Sequence, residues 1–181
     1  MNKIELLAPA KDLAKAKIAI RYGADAVYVG GKLYSLRSRA SNFDLSDLKE
    51  ISGFAKQYGA KVYVTVNIVF HDSDFYGIRE YLKYLEKIGI DAVIVSSPAL
   101  IQIVKREAPN LECHVSTQLS SLNSDAVWTY AVMEQTVSFW AGKHPWTRSK
   151  RSERRFPFLL KSSFMEACVL IIPAGAYFPT G

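Results

Sequence analysis

Three stretches of this chain share one design. "YGADAVYVGG" begins at Tyr22, "YGAKVYVTVN" at Tyr58 and "IGIDAVIVSS" at Ile88. Each sets a glycine where a helix must stop in a left-handed turn, then an apolar, β-branched run of strand length. An amphipathic stretch precedes each glycine: "LAKAKIAIRYG", "LSDLKEISGFAKQYG" and "DFYGIREYLKYLEKIG". Continuous apolar strands alternating with helices specify a parallel sheet covered by helices.

The remaining pieces extend the series. "IELLAPA" (Ile4–Ala10) reads as a buried strand, and Asp12 is placed to cap the helix after it. Pro98 opens "PALIQIVKREAP", where a proline suits the first helical turn. "LECHVSTQ" supplies a fifth strand and "SDAVWTYAVM" a fifth helix. The sequence therefore predicts α/β architecture: about five βα units of an incomplete (β/α)8, TIM-barrel-like domain over residues 1–133. An open doubly wound sheet is the runner-up, weakened because "APAKDLAKA" after the first strand carries no glycine-rich phosphate loop.

At 49% apolar residues the composition excludes the disordered class. The opening "MNKIELLAPAKD" shows no secretory signal, and no apolar run approaches the roughly 20 residues that span a bilayer. Two cysteines, Cys113 and Cys168, make no disulfide framework. A soluble, cytoplasmic protein without a membrane span is expected. The net charge of +6 is unevenly placed: residues 134–181 hold seven Lys/Arg against three acidic residues.

In either architecture ligands bind at the carboxyl ends of the strands. That rule selects Arg37, Arg39 and Asn42 in "LYSLRSRASNFD", Asn67 and His71 in "VNIVFHD", and Gln118 after the fifth strand as substrate-binding candidates. Asp12, Ser96, Ser97, Ser116 and Thr117 fall at the same end. Two arginines followed by an amide suit an anionic or planar polar group. The competing reading is a solvated loop with Asn42 or Asp44 capping the next helix. His71 reads first as a loop histidine beside Asp72, and Asn67 and Gln118 as amides whose burial demands partners. Cys113 reads as an inert core thiol, and Tyr81, Tyr84 and Leu85 as core at helical spacing. The residues define neither a catalytic set nor a metal site.

"IELLAPAKDLAKAKIAIRYGADAVYVGGKLYSLRSRASNFDLSDLKE", "KVYVTVNIVFHDSD", "GIDAVIVSSPALI" and "HVSTQLSSLNSDAV" together resemble the collagenase-like peptidase family U32, almost continuously over residues 1–133. The resemblance implies a barrel-like catalytic domain. It implies a hydrolase, a collagenase-like protease. The alternative it offers is oxygen-independent hydroxylation of tRNA, rRNA or a ubiquinone precursor by members with cysteine-ligated iron–sulfur clusters. One departure is Lys11, where the family has glycine, so a side chain crowds the mouth beside Asp12. The family's cysteine motif is absent, so no cofactor is expected in this chain, although an intact member would hold a [4Fe-4S] cluster. Peptide, protein or RNA are the candidate substrates.

After Met133 the pulse of strand and helix stops, and Trp, Lys and Arg crowd "SFWAGKHPWTRSKRSERRF". Methionine and tryptophan have single codons, so a reading frame starting one base earlier is partly forced. Met133–Glu134, Trp140–Ala141 and Met165–Glu166 must each then give glycine, and Trp146–Thr147 aspartate. Permitted choices elsewhere yield "GANRVVLGREASLDEIKEIREKVP" and "LEVFIHGGMCINHSGRCLFSN", a sixth βα unit and the family's cysteine motif. One lost G turns ATG GGA GCA AAC CGT into codons for Met-Glu-Gln-Thr and the start of Val. The expectation is that residues 134–181 are an out-of-frame, irregular tail and no domain. The chain as written would then be inactive, a pseudogene product or the result of a sequence error, and its basic tail would bind nucleic acid only non-specifically. Strands lacking later units would leave a marginal, aggregation-prone fragment.

Overall fold

The computed structural model describes residues 5–36 and 43–116, with the backbone of three further segments, 137–141, 159–163 and 168–171. The order is β1 (Glu5–Ala10), α1 (Leu13–Arg21), β2 (Ala26–Gly30), α2 (Leu45–Gln57), β3 (Lys61–Val66), a 3-10 turn (Asp72–Asp74), α3 (Phe75–Ile88), β4 (Ala92–Val95), α4 (Pro98–Glu107) and β5 (Glu112–Val115). β6 (Val137–Ala141), β7 (Leu159–Ser163) and β8 (Cys168–Ile171) follow. The expected fifth helix and the boundary at residue 133 lie outside the described residues.

Four βα units and the fifth strand form as the sequence predicts, for local reasons. Asp12 Oδ1 accepts from the Lys15 amide at 2.9 Å and caps α1. The three repeated glycines sit at positive φ, Gly23 at 94°, Gly59 at 67° and Gly89 at 79°, where an added Cβ would be strained. β1 to β5 pair as consecutive parallel neighbours.

A second device repeats at the opposite end of the strands. Asp25, just before β2, accepts the Leu6 amide on its carboxylate at 2.8 Å. Asp91, just before β4, accepts the Val62 amide in the same way at 2.8 Å. Their carbonyls take the next strand's first amide, Lys61 to Asp25 at 2.9 Å and Glu112 to Asp91 at 3.0 Å. Each aspartate thereby ties three successive strands together. That explains why "ADAV" and "IDAV" recur.

β3 is shorter than the stretch "AKVYVTVNIVF" (60–70) in which it lies. The strand ends at Val66, because the Asn67 and Ile68 amides both turn to the Tyr34 carbonyl, at 2.9 and 3.3 Å. The chain is thus diverted over the end of β2.

Strand alternation sorts the side chains into two cores. Val27, Val29, Val62, Val64, Val66, Val93, Val95, Cys113 and Val115 pack outward under the helices. Leu7, Ala26, Tyr63, Ala92 and Ile94 fill the interior, with Tyr28 against them. β6 adds in parallel to β5, and β8 lies antiparallel between β6 and β7. β7 pairs in parallel with β1, closing a barrel of order 1-2-3-4-5-6-8-7. The four residues between Ser163 and Cys168 are too few for a helical crossover, so β7 and β8 can pair only antiparallel. Three short strands thus stand in the segment expected to be irregular.

Candidate functional site

The carboxyl ends of β1 to β5 open on one rim of the barrel, and the loop after β2 is the best-defined feature there. Its return is fixed by backbone pairing at Phe43. Phe43 N–H donates to the Gly30 carbonyl at 3.0 Å, and Lys32 N–H donates to that of Phe43 at 2.9 Å. Asp44 then caps α2 in a reciprocal box: its Oδ1 accepts from Asp47 N–H at 2.9 Å, and Asp47 Oδ2 accepts from Asp44 N–H at 3.1 Å. The Ser46 hydroxyl and the Asp47 amide hold the Asp44 carboxyl down at about 2.

The outgoing arm of the loop rests on β3. Tyr34 adopts φ 59°, and its carbonyl accepts the Asn67 and Ile68 amides. Leu36 N–H donates to Asn67 Oδ1 at 3.2 Å. The buried Ser35 hydroxyl lies 3.0 Å from Thr65 Oγ1, which itself donates to the Val29 carbonyl at 3.3 Å. The Tyr34 ring stacks on Phe70 with centroids 5.9 Å apart and tilts against Tyr81 at 5.3 Å. Burial pushes the phenols of both tyrosines up in pKa.

The sequence candidates fall as follows. Arg37, Arg39, Asn42, Thr117 and Gln118 lie outside the described residues. Asn67 is on the rim, half-buried, with its side-chain oxygen engaged by the loop. His71 is exposed at the start of the 3-10 turn, where its backbone N–H donates to Asp74 Oδ2 at 2.8 Å. Asp12 is occupied as a cap, and its carboxyl is lowered in pKa first by the Lys15 amide. Ser97 precedes α4 and makes no side-chain cap bond, while Ser116 is buried with its amide on Val95. Asn67 is thus brought to the Tyr34–Leu36 arm, whereas His71 stands away on the next loop.

A polar group inside the barrel was not anticipated. His114 is fully buried, 4.6 Å edge-on to Tyr63 and 3.2 Å through Nε2 from Glu112 Oε2. Tyr63 Oη donates to Glu5 Oε1 at 2.6 Å, and burial, followed by the Glu5 charge, pushes this phenol far up. The signal was present in "LECHV", where alternation puts Glu112 and His114 on the face opposite Cys113. Cys113, 1% exposed, packs in the outer core under the helices. Among the described residues no group of three or more His, Cys, Asp or Glu side chains could hold a metal ion, and no helix is long and apolar enough to cross a membrane.

These features define a class: an α/β barrel whose first five strands run parallel and alternate with helices, and whose rim carries one loop pinned at both ends. The chain belongs to peptidase family U32, whose profile matches residues 11–136. It is 50% identical over 138 residues to tRNA hydroxylation protein P1 of Bacillus subtilis (strain 168), across 75% of this chain and 33% of that protein. It is 41% identical over 117 residues to the 23S rRNA 5-hydroxycytidine C2501 synthase of Escherichia coli (strain K12), across 65% of this chain and 17% of that protein. An uncharacterized protease of Methanocaldococcus jannaschii, MJ0090, is 39% identical over 137 residues, 76% of this chain and 33% of its own length. The chain therefore spans a third or less of each of these relatives. Among solved structures, that of the U32 peptidase Mk0906 matches with a TM-score of 0.60 and 16% identity, covering 74% of this chain and 56% of that one, a likeness of fold.

Proposed function

We propose that this chain provides the first five βα units of a U32 RNA hydroxylase, with tRNA as its substrate class. The observation that carries the reading is the 50% identity to a tRNA hydroxylation protein. The family's peptidase label is the lesser reading. Among the described residues Cys113 is sealed under the helices, His71 is on a surface loop and His114 is inside the barrel, which sets the three in different parts of the fold.

In this reading Arg37 and Arg39 supply guanidinium groups for RNA phosphate, the chemistry for which paired arginines are suited. Asn42 and Gln118 would offer base-edge or ribose hydrogen bonds. An iron–sulfur cluster does not fit the described side chains, whose one cysteine, Cys113, is buried in the outer core, while Cys168 is described by its backbone alone. No chemical step is assigned to such a cluster; its cysteines would come from elsewhere in a longer protein.

The frame shift at Met133–Glu134 remains part of the proposal. The family match stops at residue 136, within three residues of that boundary, which supports it. Residues 134–181 would then contribute no descended function, and the chain as written would lack activity. Reading the nucleotide sequence there tests the boundary: one missing G in the codons after Met133 is expected, and an intact triplet register overturns it. Expressing the frame-restored gene in cells lacking their own tRNA hydroxylase tests the function. Mass spectrometry of the tRNA is expected to show a nucleoside heavier by one oxygen atom. Unmodified tRNA together with cleavage of a gelatin peptide by the purified protein would replace this reading with the peptidase one.

A further inference from the structure

We infer that Asn67 and Thr65 are positioning residues: the end of β3 is a ledge that fixes the root of the arginine loop. The consequence for RNA rests on the function proposed above; the ledge itself rests on geometry alone.

Four contacts make it. Tyr34 bends the chain at positive φ and offers one carbonyl to two amides beyond β3. Asn67 Oδ1 takes the Leu36 amide, and the Ser35 hydroxyl reaches Thr65. Because Thr65 spends its own proton on the Val29 carbonyl, Ser35 must be the donor in that pair. The Tyr34 ring is held between Phe70 and Tyr81, and its hydroxyl lies over Gly77, where a Cβ would come within 2.5 Å.

The spacing gives the ledge its purpose. Leu36 is fixed by Asn67, and Phe43 by Gly30 and Lys32. Arg37 follows Leu36 directly in the sequence. An arginine starting from a fixed point loses less freedom on meeting a phosphate than one on a free loop. Asn67 therefore acts through the loop, with its oxygen committed to backbone.

Trypsin reads the ledge in the 181-residue chain as it exists, because it cuts after Arg37 and Arg39. Asn67→Leu is expected to speed those two cuts about fivefold to tenfold, the value of one lost hydrogen bond. Cutting after Lys105, within α4, should not change and serves as the measure of global folding. Asn67→Asp keeps an acceptor for the Leu36 amide and should cut like the parent. Unchanged cutting at Arg37 and Arg39 in Asn67→Leu overturns the ledge. If that variant also speeds the Lys105 cut, Thr65→Val replaces it under the same criterion. Bulk tRNA is the probe for the second half, its affinity expected to fall by a similar factor in Asn67→Leu. A loosened loop with unaltered tRNA affinity leaves the ledge standing and removes the RNA role of the arginines.

Discussion

Two tyrosine hydroxyls on this molecule sit where a single carbon would collide with them. Tyr81 Oη lies over Gly31 and Tyr34 Oη over Gly77, each 2.5 Å from where a Cβ would stand. Gly77 is inside α3, so alanine there would ordinarily gain helix propensity. Here the Tyr34 ring is wedged by Phe70 and Tyr81 and cannot yield. Gly77→Ala is expected to destabilise by about 1 kcal/mol, the lower end of overpacking costs. Adding Tyr34→Phe, which removes the colliding oxygen, should recover most of it, and urea midpoints of the two single variants and the double variant check this. Tyr81 is 6% exposed, and its hydroxyl has no hydrogen-bond partner among the described residues. Tyr81→Phe should therefore raise stability by about 1 kcal/mol, the desolvation of one unsatisfied hydroxyl; a loss in the same urea experiment would reveal a partner. Residues acting on their own backbone were legible beforehand: the Asp12 cap and the stops at Gly23, Gly59 and Gly89 follow from local rules. Asn67 and His114 were not, because their meaning depends on which strand end or ring lies opposite.

At the scale of elements, α2 shows how local chemistry becomes measurable. The Asp44 carboxyl is held at about 2 against an ordinary 3.8, by the Ser46 hydroxyl first and then the Asp47 amide. A lowered folded value means the capped form contributes stability above pH 3.8 that is lost as pH falls toward 2. Asp44→Asn keeps the cap but cannot titrate. Its urea midpoint should fall less steeply than the parent's between those pH values, and parallel curves would show that the box does not form. The helices and strands themselves were legible to within a few residues because their glycines, prolines and apolar periods are strong. The early end of β3 was not, since "VYVTVNIVF" stays rich in β-branched and aromatic residues past Asn67 and only the Tyr34 carbonyl, 30-odd residues upstream, diverts it.

For the whole molecule, what was legible was the cadence of βα units. The way the ring closes was not, because residues after Met133 carry no helix–strand period from which to read an order. Closure passes through an antiparallel β8 between β6 and β7. Leu6, on the β1 face turned away from the interior, is 41% exposed. A chain so built should not unfold as one unit. Calorimetric and van't Hoff enthalpies are expected to disagree, and coincident values with a single sharp transition would contradict this.

The paired aspartates before β2 and β4 carry a consequence for how such a ring is made. Leu6 and Val62 each leave an amide that is satisfied only when the following strand's aspartate arrives. β1 and β3 are thus each completed by the strand that follows, and assembly has a direction, the order in which the ribosome delivers the chain. A nascent ring of this kind advances like a ratchet, every new tooth locking the one before it.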